Sequence, residues 1–228
     1  MCQIIEHAEN NKIPGIIFAA DFEKAFDKLN WQFIENVLLK LNFGTMLIRW
    51  VKLFYTNISA VVNVNGWFSR EFCIERGVKQ GDPMSSYLFI LCVEILAVNI
   101  RANKNIKGIT FGRHEHKLSM FADDANLFIE YSPISMNNLL STLDKFSQAS
   151  GLKINFEKSV AYCIGVKPKN NFKTNIAITW SDSNVETLGI KIPLWKRKDI
   201  YGINYEPKIA SMEAVIRAWS MQNLSLRG

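Results

Sequence analysis

Residues 119–129 read SMFADDANLFI, two adjacent aspartates set between apolar flanks. The flanks KLSMFA and ANLFIEY read as two short strands, which puts Asp123 and Asp124 at the tip of a hairpin. Asp is a favoured turn residue because its carboxylate bonds nearby backbone amides, so on this fragment alone a plain turn is the simplest reading. A stretch a hundred residues earlier changes it. GIIFAAD at 15–21 is a short apolar run after Pro14, a buried strand that ends on Asp21. If the two strands pair in one sheet, three carboxylates converge at its end. Converging carboxylates are costly unless divalent cations neutralise them. Two Mg²⁺ ions about 3.5–4 Å apart would stabilise both the attacking and the leaving oxygen of an in-line phosphoryl displacement.

The 228 residues are enough for one large domain or a domain and part of a second. A hydrophobic content of 48%, with 15 Phe and 6 Trp, supports a sizeable core and excludes a disordered chain. Lys and Arg number 27 against 21 Asp and Glu, and the resulting charge of +6 suits a polyanionic partner without being a nucleic-acid signature by itself. Cys2, Cys73, Cys92 and Cys163 are scattered, with no CxxC pair and too few close histidines for a zinc site. Buried reduced thiols in an intracellular protein, cytoplasmic and nuclear, are the simplest account. The longest apolar stretch, SYLFILCVEILAVNI at 86–100, is interrupted by Glu94 and falls short of the roughly 20 residues a bilayer requires. No signal peptide is visible, so no membrane partner is expected.

Between the acidic stretches the pattern is mixed. Asn30 is placed to cap a helix whose apolar positions Phe33, Ile34, Val37, Leu38 and Leu41 recur at helical spacing until Gly44, and a second helix is expected over 45–56. Residues 60–75 alternate around Asn65-Gly66, a type I′ hairpin signal because both central residues need positive φ. The glycine-punctuated loop RGVKQGDP leads into a long helix over 85–103, with Pro83 at its start. A helix over 135–149 ends at Ser150-Gly151, strand-like pieces follow at 159–164 and 185–192, and an amphipathic helix is expected over 204–226. Its stripe of Tyr205, Ile209, Met212, Val215, Ile216 and Trp219 reads as core packing. Strands and helices intermix without a regular βαβ alternation, so the class is α+β.

In order along the chain, DFEKAFDKLNW at 21–31, RGVKQGDPMSSYLFIL at 76–91, FADDANLFI at 121–129, SGLKINFEKS at 150–159 and TLGIKI at 187–192 resemble the palm motifs of reverse transcriptases. The resemblance is closest to the non-LTR, LINE-like retrotransposons. It implies a polymerase palm over 1–200, an antiparallel sheet packed on helices with a partial fingers–palm connection at the N-terminus, and the start of a helical thumb over 201–228. It also implies an RNA-directed DNA polymerase that extends a DNA primer on an RNA template with deoxynucleoside triphosphates. Two Mg²⁺ ions would be its cofactors, with Mn²⁺ able to substitute.

The same resemblance assigns roles. Asp21 and Asp123 match the aspartates that ligate both metals, Asp124 the second aspartate of the pair, and Phe22 contributes a backbone carbonyl to the metal bound to the triphosphate. Phe26 matches the aromatic that lies under the incoming sugar and excludes a ribose 2′-OH. An RNA-dependent RNA polymerase palm shares the carboxylates but must accept that hydroxyl, so Phe26 disfavours it. Gln80 and Gly81 match the loop that contacts nucleotide and template base, and Arg76 and Lys79 beside them are candidates for phosphate contact. Lys158 resembles the lysine that protonates the leaving pyrophosphate. Lys196, Arg197 and Lys198 in LWKRKD are candidates to track a nucleic-acid backbone.

The sequence departs from the family mildly, with Lys79 where Arg is more usual and Ser86-Tyr87 in place of Pro-Leu. By this resemblance the chain is expected to be truncated, with finger residues upstream and the rest of the thumb downstream missing. The alternative is an inactive retrotransposon remnant or an RNA-binding palm-like module.

Overall fold

The computed structural model describes residues 1–166, 178–194 and 200–220. In chain order its helices are α1 (Cys2–Asn10), α2 (Ala25–Lys28), α3 (Trp31–Lys40), α4 (Thr45–Phe54), α5 (Pro83–Ala102), α6 (Pro133–Ser150), α7 (Ile200–Asn204) and α8 (Glu206–Ser220). Its strands are β1 (Gly15–Ala20), β2 (Ser59–Ala60), β3 (Asn63–Val64), β4 (Trp67–Phe68), β5 (Phe72–Cys73), β6 (Ile109–Phe111), β7 (His114–His116), β8 (Leu118–Phe121), β9 (Asp124–Glu130), β10 (Val160–Ile164), β11 (Thr179–Ser181), β12 (Val185–Thr187) and β13 (Ile190–Ile192).

The organising element is β1, the middle strand of a five-stranded sheet ordered β11-β10-β1-β9-β8. It runs antiparallel to β9, from Gly15 opposite Glu130 to Ala20 opposite Ala125, and antiparallel to β10, from Gly15 opposite Ile164 to Ala19 opposite Val160. A strand paired on both edges and covered on both faces reads as a continuous apolar run, which is why GIIFAA lacks polar alternation. Ile16 and Phe18 face the main core with Ile34 of α3, Phe89 and Leu96 of α5 and Leu139 of α6. Ile17 faces the other way, into a smaller core with Phe128, Tyr162, Val185 and the α1 residues Ile4 and Ile5. The expected antiparallel sheet carries one exception, since β11 joins β10 in parallel.

Several local signals act as written. The Asn30 side chain accepts from the amides of Gln32 at 2.8 Å and Phe33 at 3.2 Å, capping α3. Asn65 and Gly66 both have positive φ, +51° and +86°, and close the β3–β4 turn. Asp82 caps α5 through the Met84 amide, with Pro83 in the first turn. At the other end of α5 the buried Lys117 ammonium donates to the carbonyls of Arg101 at 3.1 Å and Asn103 at 3.0 Å, a cation on the negative end of the helix. Gly165, at the end of β10 with φ +78°, passes so close to the carbonyls of Ile13 and Ala8 that a Cβ could not be accommodated.

Other expectations are corrected. The apolar run of 86–100 belongs to a longer helix, and α5 at 20 residues is long and apolar enough to cross a bilayer by length and composition. Here its Leu88, Phe89, Cys92, Val93 and Leu96 are buried within the protein. Cys92 and Cys163 are buried, whereas Cys2 and Cys73 are exposed at the surface. Residues 185–192 form a hairpin, β12 and β13, turned by Leu188 and Gly189 at positive φ. The expected final helix is α8, preceded by the short α7, and none of α8 is buried, so the stripe from Ile209 to Trp219 is not core packing among the described residues.

Candidate active site

The pairing of β1 with β9 ends at Ala20 opposite Ala125, so the chain leaves the ladder with Asp21 and Asp124 side by side. β8 and β9 are joined through Phe121 opposite Asp124, leaving Ala122 and Asp123 as the turn. Ala122 holds φ +51°, a conformation that costs a residue with a Cβ about 1–2 kcal/mol, immediately before Asp123. Asp124 therefore opens the strand, one position beyond the hairpin tip.

The carboxylates feel one another. Burial, then the charges of Asp123 and Asp21, push the Asp124 carboxyl above its ordinary value. Among the described residues no three acidic, histidine or cysteine side chains are drawn close enough to share one ion. The donors that do converge are all oxygens, the hard set that suits Mg²⁺ or Mn²⁺ and not zinc or copper.

Backbone pairing supplies another oxygen. Phe22 forms an isolated antiparallel bridge with Ile154, in which the Glu23 amide donates to the Lys153 carbonyl and the Asn155 amide donates to the Asp21 carbonyl, both at 2.8 Å. This bridge uses the neighbours' groups and leaves the Phe22 carbonyl outside the pairing. The Phe22 ring is buried, anchoring that carbonyl beside Asp21.

Phe26 is both packed and at the cleft. Its ring stacks on Phe89 of α5, centroids 4.9 Å apart and planes 17° from parallel, and it also lines the cleft. The loop RGVKQGDP is tied to the segment after Asp21 by four bonds. The Gly77 amide donates to Leu29, the Val78 amide to Phe26, the Trp31 indole to the Gly77 carbonyl, and the Gln80 amide group to the Asp27 carboxylate at 3.3 Å. Gly77 allows this approach, because at φ +90° a Cβ would lie 2.7 Å from the Asp27 carbonyl.

The result is a cleft of about 380 Å³ lined by Asp21, Phe22, Phe26, Gln80, Asp123 and Lys158, together with Lys24 and Asn155. Asp124 stands beside it. Arg76, Lys79 and Gly81 line an adjoining, larger cleft that shares Gln80. A separate cavity of about 180 Å³ between α3 and α4, around Leu38, Ile48 and Tyr55, holds none of the expected site residues. Lys196, Arg197 and Lys198 lie outside the described residues.

Two residues of the cleft region were not singled out in the sequence. Lys24 is a non-glycine at φ +48° that turns the chain from Asp21 towards Phe26. Ser159, fully buried, accepts a bond from the Asp21 amide at 3.0 Å. Its only trace in the sequence is a polar residue immediately before an apolar strand.

Known proteins share the family and the fold of this chain. The reverse transcriptase (RNA-dependent DNA polymerase) family matches residues 1–192. The retrovirus-related Pol polyprotein from the type-2 retrotransposable element R2DM of Drosophila melanogaster is 30% identical over 205 residues, 89% of this chain and 18% of that protein. The transposon TX1 uncharacterized 149 kDa protein of Xenopus laevis is 23% identical over 190 residues, 82% of this chain and 14% of that protein. The chain thus spans less than a fifth of the length of either relative. Among solved structures, the telomerase of Candida tropicalis in complex with a telomeric RNA fragment superposes with a TM-score of 0.56 at 12% identity, covering 84% of this chain and 31% of that one. The Candida albicans telomerase gives 0.54 at 14%, covering 87% and 34%. At these identities the likeness shows a shared fold.

Proposed function

Because this chain belongs to the reverse transcriptase (RNA-dependent DNA polymerase) family, we propose that it extends a DNA primer on an RNA template with deoxynucleoside triphosphates, as the polymerase domain of a non-LTR retrotransposon protein. The observation that carries this reading is that β1 and β9 end side by side at Asp21 and Asp124, with Asp124 feeling the charges of Asp123 and Asp21, at a cleft lined by Asp21, Asp123, Phe26 and Gln80.

Asp21, Asp123, Asp124 and the Phe22 carbonyl would hold two Mg²⁺ ions, or Mn²⁺ in their place, which when bound supply neutralising charge to the attacking 3′-oxygen and the departing pyrophosphate. The chain's own residues do the rest. Phe26, fixed by its stack on Phe89, forms the floor under the sugar. The Gln80 side chain both donates and accepts, and Gly81 lets the backbone approach the nucleotide. Lys158, in the same cleft as Asp21 and Asp123, carries on its Nζ a proton that can pass to the leaving pyrophosphate oxygen.

The test is primer extension by this chain on a primed RNA template with all four deoxynucleotides. Extension that requires both the template and a divalent cation is the expected result. A folded chain that adds no nucleotide with either Mg²⁺ or Mn²⁺ would overturn the reading.

The floor residue yields its own expectation. In Phe26→Val, a smaller side chain opens room at C2′, so discrimination against ribonucleotides falls on the order of 10- to 200-fold, the range over which apolar pockets reject small additions. The ratio of kcat/KM for deoxy- and ribonucleotides measures it. An unchanged ratio would return Phe26 to a packing role.

A further inference from the structure

The Ser159 hydroxyl lies where β10 begins, with the residue 0% exposed. The β1–β10 ladder ends at Ala19 opposite Val160, and one residue further the hydroxyl stands in for the missing ladder partner. It accepts from the Asp21 amide at 3.0 Å and donates to the Asn155 carbonyl at 2.7 Å. The Asn155 amide in turn donates to the Asp21 carbonyl at 2.8 Å. Both main-chain polar groups of Asp21 are therefore held by the turn 155–159, one through the Ser159 side chain and one through backbone. Lys158 belongs to that turn, its amide bonded to the Asn155 carbonyl at 3.2 Å and to the Asn155 side chain at 3.3 Å.

We propose that Ser159 is a positioning residue, locking the Asp21 backbone to the turn that bears Lys158 and so fixing a metal-binding carboxylate relative to the lysine. This rests on the two-metal reading given above. Without the hydroxyl the Asp21 amide loses its acceptor in a partly buried setting, and the end of β1 is freed from the turn. Phe26 and Gln80 are held by other bonds, to Phe89 and Asp27, so nucleotide binding is largely spared.

The test is Mn²⁺ titration, followed by the electron paramagnetic resonance of the free ion without turnover, beside kcat and KM for a deoxynucleotide. Ser159→Ala is expected to weaken Mn²⁺ binding and lower kcat, each by roughly tenfold or more, the size of effect seen when an outer-shell partner of a metal ligand is lost, with KM within about twofold. Ser159→Thr, which keeps the hydroxyl, should recover both. Ile109→Ala, a buried residue packed at Gly15 on the end of β1 remote from Asp21, serves as a destabilised control that keeps wild-type Mn²⁺ affinity. Should Ser159→Ala not fold, Ser159→Cys keeps the volume with a poor acceptor and carries the same comparison. Mn²⁺ affinity and kcat at wild-type level in a folded Ser159→Ala or Ser159→Cys would overturn the positioning role and leave the metal reading intact. Wild-type protein that binds Mn²⁺ no better than Asp123→Asn would overturn the metal reading, and the proposal with it.

Discussion

Asp123→Asn is expected to slow nucleotide addition by at least about 10²–10³-fold, the loss typical when one preorganised electrostatic group is removed from a reaction centre. The same change should leave the melting temperature, measured without divalent ions, no lower than that of the wild type. Asparagine keeps the shape of the side chain at the turn and removes its charge. Asp124 is held above its ordinary carboxylate value by burial first, then by Asp123 and Asp21. A raised folded-state value means that ionising Asp124 costs the fold stability. That cost is absent below the ordinary carboxylate value, grows as pH rises through the raised one, and is full above it. Removing the Asp123 charge reduces the cost, so the variant's advantage in melting temperature should widen with rising pH over that window. Primer extension and calorimetry on the same samples decide it. Wild-type extension by the variant would remove Asp123 from the reaction.

Gly165→Ala carries the largest expected loss of stability, about 3 kcal/mol or more. At φ +78° any L side chain costs about 1–2 kcal/mol. The new Cβ would also run into the Ile13 carbonyl and lie 2.9 Å from that of Ala8, and both are backbone atoms that cannot swing aside. The end of β10 would have to part from the segment joining α1 to β1. A fall in melting temperature of about 6–12 °C follows for a domain of this size. Gly66→Ala is the comparison, since Gly66 has a similar φ of +86° but open space around it. It should cost only the backbone term, about 1–2 kcal/mol. Equal losses at the two positions would show that the close approach at Gly165 is unimportant.

The contrast between what could and could not be read from the residues follows the range of each interaction. Asn30, Asn65-Gly66 and Pro83 act within four residues of themselves, and the cap, the turn and the helix start all stand where the local chemistry puts them. Asp21 and Asp123 were recognisable because each ends an apolar strand, and the pairing of β1 with β9 brings those ends together. Ser159 acts on a residue 138 positions away, through a bond that exists only once β10 has paired with β1. No periodicity announces it. The helix α1 and the hairpin β6–β7 were not anticipated for a similar reason: α1 owes its buried face to Ile17 of the next strand together with Phe128 and Tyr162 from two distant ones. The stripe on α8 shows the opposite failure. Its helical spacing is genuine, but spacing says only that apolar residues share a face, and here none of that face is buried among the described residues.

The central place of β1 has a consequence for how the protein is made. GIIFAA leaves the ribosome well ahead of its two neighbours, at 124–130 and 160–164, which are over a hundred residues behind it. At about 5–20 residues per second, the strand waits on the order of ten seconds with both edges unpaired. It is uncharged and rich in β-branched and aromatic residues, the composition that pairs readily with another copy of itself. Such a nascent chain depends on being shielded until β9 arrives, and crowding of ribosomes on one message would put like strands side by side at their most exposed moment. Slower elongation before residue 124 should therefore lower the soluble yield more than the same delay placed after residue 164.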